Sequence, residues 1–265
     1  MKKNKYGKVK YYKNFTDNHF VNAIVFKEKP IPNDYQYFPK CFLVRWWFNF
    51  VYYFFAMPIL WIMLKVKYGV KVYGKKNMKG VRGAVLIGNH SNSMDGCFAS
   101  VMVARPKRNF IICNKDAVQV VLGKYFTTAL GALPLPDDNR GLLNLANSVD
   151  KLLKKGNTVT IFPEATIWPY YTKLRPMPSA SFHYAVRSNV PVVPFAVTYR
   201  YAKGKNKFAK KPKVNITICK PIYPDLSLNA KERKEDLALK TQNALKVVIE
   251  SEGNVAFYNY VKVEE

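Results

Sequence analysis

From Val66 onward the sequence alternates short apolar runs with stretches at helical spacing, and this alternation restricts the fold more than any other feature. The runs are Ala84–His90 (AVLIGNH), Asn109–Lys115 (NFIICNK), Thr158–Glu164 (TVTIFPE), Pro191–Tyr199 (PVVPFAVTY) and Val214–Lys220 (VNITICK). They are too short for helices and rich in valine and isoleucine, which is the signature of buried strands. Leu142, Leu145, Val149 and Leu152 recur at helical spacing, and Lys154, Lys155 and Gly156 close that helix as cations and a left-handed glycine should. Residues 230–250 form a second amphipathic helix, with Asn229 and Glu232 as a capping pair and Leu237, Thr241, Leu245 and Val248 along one face. The pattern predicts an α/β domain over residues 67–265, a mixed sheet flanked by helices. There is no internal repeat and no low-complexity segment.

A different physics governs residues 41–64, CFLVRWWFNFVYYFFAMPILWIML, where the only charge is Arg45. About 20 apolar residues suffice to cross a bilayer. Arg45 and Asn49 interrupt the run, Pro58 kinks it, and Trp46, Trp47, Tyr52, Tyr53 and Trp61 favour the headgroup zone. Residues 41–66 are therefore expected to form a membrane-associated helical segment that either crosses the bilayer or dips into one leaflet, with Lys65 and Lys67 at the headgroups. An aromatic-rich core helix of a soluble domain is the alternative. Residues 1–40 read as a basic N-terminal arm. Met1–Lys13 carries six lysines, but no apolar run with a cleavage site follows directly, so this is not a secretory signal.

The formal charge is +26, from 43 Lys+Arg against 17 Asp+Glu. Such an excess speaks of an anionic partner: a membrane surface, nucleic acid or an acidic carrier protein. Nucleic acid is set aside because no zinc spacing, RNA-recognition motif or basic recognition helix accompanies the charge. Arg200–Lys213 holds seven Lys/Arg and no acid, and reads as a solvated basic hairpin or a docking surface for anionic lipid or carrier. Cys41, Cys97, Cys113 and Cys219 lack metal-ligand spacing, and only three histidines exist, so no metal site is expected. Unpaired thiols fit a reduced, cytosol-facing protein.

Two strand ends carry candidate chemistry. In Asn89-His90-Ser91-Asn92-Ser93-Met94-Asp95-Gly96 a strand delivers a histidine at its polar end. An imidazole with a pKa near 6.5 is a competent general base, and a carboxylate on its other ring nitrogen would fix the tautomer. On a straight helix the five-residue spacing would turn the two side chains about 140° apart, so the chain must fold back between them. Ser91 and Ser93 shape this turn, and His183 is assigned a structural role. The second strand end is Ile161-Phe162-Pro163-Glu164-Ala165-Thr166, where a carboxylate follows a proline in a turn.

Together with Val190-Pro191-Val192-Val193-Pro194, these runs resemble the blocks of the glycerolipid acyltransferase family typified by 1-acylglycerol-3-phosphate acyltransferases. Asn89, His90 and Asp95 match N-H-x-x-x-x-D, Phe162, Pro163, Glu164 and Thr166 match F-P-E-G-T-R, and Val190–Pro194 match V-P-[IV]-[VI]-P. The similarity spans about Val70 to Ile222. The second block departs: Asp137 stands where the family has arginine, and Arg140 is the nearest replacement. In the third block Ala165 replaces glycine and Ile167 replaces arginine.

The resemblance implies His90 as general base and Asp95 as its partner. It implies acceptor binding by Phe162, Pro163, Glu164 and Thr166, with Arg140, Lys173 and Arg175 as substitutes for the missing arginines, since a guanidinium grips phosphate in two places. It further implies acyl transfer from acyl-CoA or acyl-carrier protein to a lysophospholipid, 1-acylglycerol-3-phosphate foremost, with no cofactor or metal, at the cytoplasmic face of a membrane. The absent arginines keep two alternatives open: another acceptor, such as an aminolipid or glycolipid, or a non-catalytic basic scaffold on the membrane.

Overall fold

The computed structural model describes residues 7–17, 20, 30–118, 127–202 and 211–263. Its main sheet has seven strands in the order β2-β8-β7-β3-β6-β4-β5. These are β2 (Lys71–Tyr73), β3 (Ala84–Gly88), β4 (Asn109–Cys113), β5 (Ala132–Pro134), β6 (Thr158–Ile161), β7 (Val192–Arg200) and β8 (Lys213–Ile218). Strands β7, β3, β6, β4 and β5 run parallel, and β8 turns back antiparallel to β7, so the sheet is mixed. A separate two-stranded parallel sheet joins β1 (Lys8–Tyr12) to β9 (Tyr258–Lys262). The N-terminal arm thus contributes a strand paired with the far end of the chain. Residues 1–6, 18–19 and 21–29 of that arm, and 203–210 of the basic hairpin, lie outside the described residues.

The central strands bury both faces, as parallel strands covered by helices do. Side chains alternate along a strand, so Ala84 and Leu86 join one core while Val85 and Ile87 join the other. The second core is closed by helices α3 (Asn139–Lys154), α4 (His183–Ser188) and α5 (Ala230–Ile249). In α3, Leu145, Val149 and Leu152 are buried as their spacing predicts, whereas Leu142 faces outward and Leu153 takes its share of the core. Asn229 and Glu232 form a reciprocal capping box at the start of α5, whose inner face is Leu237, Ala238, Thr241, Leu245 and Ile249.

The first core is closed by helix α2 (Asp95–Ala104), buried throughout from Phe98 to Ala104, with helix α1 (Phe42–Val66) laid over it. At 25 residues α1 is long and apolar enough to cross a membrane. Val51–Ala56 widens into a π-helical turn immediately before Pro58, which has no N–H to continue the regular ladder. Only Tyr52, Met57 and Leu64 of this helix are buried, while Phe42, Leu43, Trp46, Trp47, Phe54, Phe55, Ile59 and Ile62 point outward. A soluble core helix would have those side chains covered. Arg108 pins the middle of α1 by donating to Asn49 and to the Ala129 carbonyl and by lying over the Tyr52 ring at 4.9 Å.

Candidate active site

The site begins where β3 ends. Asn89 leaves the strand but keeps its neighbour: its side-chain oxygen accepts from the Val197 N–H at 2.8 Å, and its Nδ2 donates to the Val197 carbonyl at 3.0 Å. A side-chain amide thus imitates one more residue of ladder and fixes the exit direction of the chain. The next peptide carries His90. Beyond it the backbone turns back, held by the Tyr199 hydroxyl, which donates to the Ser91 carbonyl at 2.9 Å.

This turn brings the five-residue pair together. Asp95 Oδ2 lies 3.0 Å from His90 Nδ1 and also accepts the backbone N–H groups of Ser91 and Asn92, each at 2.8 Å. The carboxyl is therefore both the first residue of α2 and the clamp of the turn. Burial raises its pKa, while the His90 ring and the two N–H groups oppose that rise. The imidazole remains 17% exposed against 0% for its partner. Its face stacks on Phe162 at 4.4 Å and 14°, and Phe162 packs edge-on against Phe195. Gly88 makes this stack possible, because a Cβ there would lie 2.4 Å from the Phe195 ring.

The second strand end, after β6, packs directly beside the first. Pro163 and Glu164 are buried, and Ala165 adopts φ 59°. Glu164 Oε2 accepts the His90 backbone N–H at 3.0 Å, so this carboxylate faces the histidine's peptide. Arg175 fills the remaining space. Its Nε and Nη2 reach Glu164 Oε2 at 3.1 and 2.7 Å, and its Nη1 donates to Thr166 Oγ1 at 2.7 Å. The pair is 1% and 2% exposed. Arg175 was expected to grip the acceptor phosphate; here its guanidinium is buried against the Glu164 carboxylate. Glu164 and Thr166, expected to touch the acceptor, have their side chains turned to Arg175.

The other expected cations are placed differently. Lys173 is exposed. Arg140 is exposed in the first turn of α3, behind its N-cap Asp138. That turn follows β5, three strands from β3, or about 14 Å at normal strand spacing. Asp137, at the position of the missing arginine, pairs with Lys115 at 3.0 Å. Sequence reasoning missed Trp168, wholly buried, whose backbone N–H donates to the His90 carbonyl at 3.1 Å and whose ring lies under the Arg175 guanidinium at 4.9 Å. A tryptophan in a loop next to the third block was the available signal. Among the described residues no group of three His, Cys, Asp or Glu is placed to hold a metal ion.

Ala165 supplies a stability prediction. A left-handed alanine costs roughly 1–2 kcal/mol, and glycine returns roughly 0.4–1 kcal/mol of that through the freer unfolded chain. Ala165→Gly should therefore raise the thermal midpoint by the equivalent of about 0.5–1 kcal/mol. A lower midpoint would mean the backbone is not left-handed there.

Residues 69–198 match the family model described as Acyltransferase. The 1-acyl-sn-glycerol-3-phosphate acyltransferase of Bacillus subtilis (strain 168) is 28% identical over 171 residues, covering 64% of this chain and 82% of that protein. The protein of the same name from Haemophilus influenzae (strain Rd) is 26% identical over 200 residues, covering 74% and 76%. The crystal structure of the 1-acyl-sn-glycerophosphate (LPA) acyltransferase PlsC from Thermotoga maritima superposes with a TM-score of 0.51 at 20% identity, covering 78% of this chain and 92% of that one, and so shares the fold. Residues 69–198 thus form an acyltransferase domain, similar to the two proteins named 1-acyl-sn-glycerol-3-phosphate acyltransferase and built on the fold of the solved one.

Proposed function

We propose that this enzyme transfers a fatty acyl group from acyl-CoA or acyl-carrier protein to the free hydroxyl of a lysophospholipid, 1-acylglycerol-3-phosphate foremost, giving phosphatidate at the cytoplasmic face of a membrane. The observation that carries the chemistry is the 3.0 Å contact between His90 Nδ1 and Asp95 Oδ2 at the open end of the sheet. With the Nδ1 proton held by Asp95, the lone pair of Nε2 is the basic one. Nε2 takes the proton of the acceptor hydroxyl as that oxygen attacks the thioester carbonyl. The tetrahedral intermediate collapses, the C–S bond breaks, and the leaving thiolate recovers the proton from Nε2. Asp95 stabilises the imidazolium in between. No covalent enzyme intermediate and no cofactor enters this scheme.

The acceptor class is supported by the names of the two relatives, both 1-acyl-sn-glycerol-3-phosphate acyltransferases. A second reading, an aminolipid or glycolipid acceptor, is favoured by one observation: Arg175 is taken by Glu164 and Lys115 is paired with Asp137. The test uses the purified full chain with a labelled acyl donor, offered as acyl-CoA or as acyl-carrier protein, and a panel of lyso-acceptors. Labelled phosphatidate is the expected product. Label appearing only on acceptors without a phosphate monoester would transfer the assignment to the second reading. A scaffold would acylate nothing.

The membrane part of the proposal rests on the outward apolar face of α1. Phe54 and Ile62 are 68% and 56% exposed, so charging them leaves the fold intact. A charged residue at the centre of an inserted helix costs about 2.5–3.5 kcal/mol. The double variant Phe54→Glu, Ile62→Glu should therefore lose sedimentation with anionic vesicles in high salt, where the basic surface is screened. Unchanged sedimentation would mean that α1 does not enter the lipid.

A further inference from the structure

We infer that Arg175 is a positioning residue: with Glu164 it grips the peptide groups on both sides of His90 and sets where the imidazole points. The His90 N–H is held by Glu164 Oε2 at 3.0 Å, and the His90 carbonyl accepts from Arg175 Nη2 at 3.4 Å as well as from the Trp168 N–H at 3.1 Å. Glu164 is in turn fixed by Arg175 from three directions, through Nε, Nη2 and the backbone N–H, the last reaching Oε1 at 3.2 Å. A guanidinium has five N–H hydrogens. Here they face Glu164, Thr166 Oγ1, the Thr166 carbonyl, the Phe15 carbonyl and the His90 carbonyl, so none is left for a substrate.

The grip is itself backed by the two ends of the chain. Trp168, beneath the guanidinium, stacks on Tyr260 of β9 at 5.2 Å and donates from Nε1 to the Asp17 carbonyl at 2.9 Å, just past β1. The terminal two-stranded sheet therefore closes over the Arg175–Glu164 pair. With the backbone of His90 fixed from behind, Asp95 and Phe162 leave the ring one orientation. A lysine keeps the charge but not the planar fork, so it cannot serve Glu164 and both carbonyls together.

The activity arm of the test rests on the acyl-transfer reading above, and a spectroscopic arm does not. In Arg175→Lys the expected result is a kcat lowered about tenfold, since small misplacements of a reacting group carry large rate costs, with the acceptor KM within twofold of the original. Histidine labelled at Cε1 gives a second readout, the chain having three histidines. The His90 resonance should move in Arg175→Lys while that of His183 stays. Should Arg175→Lys fail to give a cooperative melt, Glu164→Gln is read by the same two criteria. An acceptor KM raised tenfold or more at unchanged kcat would make Arg175 a headgroup ligand and overturn the inference. So would unchanged kinetics together with an unmoved His90 resonance. If the wild type acylates no acceptor, it is the functional reading that fails, and the resonance alone decides this one.

Discussion

Replacing His90 with alanine is expected to lower kcat by about 10³-fold with little change in stability, in the range that a lost general base produces. The fold should tolerate it because the grip on residue 90 is through its backbone: the N–H on Glu164 and the carbonyl on Trp168 and Arg175. Asp95→Asn should cost less, about 10²-fold, for a reason visible atom by atom. Oδ2 accepts from three donors, whereas Oδ1 is buried with no hydrogen-bond partner among the described residues. The two backbone N–H groups will keep the amide oxygen in the Oδ2 place, so the His90 tautomer survives and only the charge opposite the imidazolium is lost. Where an amide forces the wrong tautomer, the loss in a comparable triad is about 10⁴-fold. Turnover at saturating acceptor, with thermal midpoints for both variants, checks the order. A His90→Ala enzyme keeping more than a tenth of its kcat would remove His90 from the chemistry.

The contact between His90 and Asp95 was legible because both residues lie within one turn at a strand end and match one block of the family resemblance. The central strands were legible too: β3 and most of β7 are apolar runs and β6 alternates threonine with valine and isoleucine, all buried on both faces. What escaped the sequence was whatever depends on distant pairing. β2 and β5 have three residues each, too few to show a period. β1 and β9 are half-exposed tyrosine- and lysine-bearing segments about 250 residues apart, and neither signals its partner. Arg175 was expected as a phosphate ligand, and its burial against Glu164 escaped for another reason. An arginine in a loop among prolines and tyrosines reads as solvated, since charged residues are almost never fully buried unless paired. The pairing that buries it, with Glu164 eleven residues earlier, follows no helical or strand period. Its guanidinium is spent on Glu164 and on the peptide of His90, away from solvent.

Asn109→Leu is expected to cost about 3 kcal/mol of stability while leaving turnover at low temperature unchanged. Asn109 opens β4 at the end of the sheet away from His90, paired with Thr158 at the start of β6. Its amide is wholly buried and joins three hydroxyls: Nδ2 donates to Ser100 Oγ at 3.0 Å, and Oδ1 accepts from Thr158 and Thr160 Oγ1, each at 2.9 Å. Leucine nearly fills the volume but strands those hydroxyls, at roughly 1–3 kcal/mol for each that finds no other partner. Thr158 retains the Arg108 carbonyl at 3.4 Å, and Ser100 can turn to a carbonyl one turn back in its helix, which keeps the sum near the lower bound. At 2–4 °C per kcal/mol for a chain of this size class, the midpoint should fall by about 6–12 °C. The cost belongs to unmet polar groups, not to lost volume, so removing the hydroxyls should return it. The variant Asn109→Leu, Thr158→Val, Thr160→Val should melt several degrees above Asn109→Leu alone. If the triple variant melts lower still, packing at this junction, and not hydrogen-bond satisfaction, holds β4 and β6 against α2.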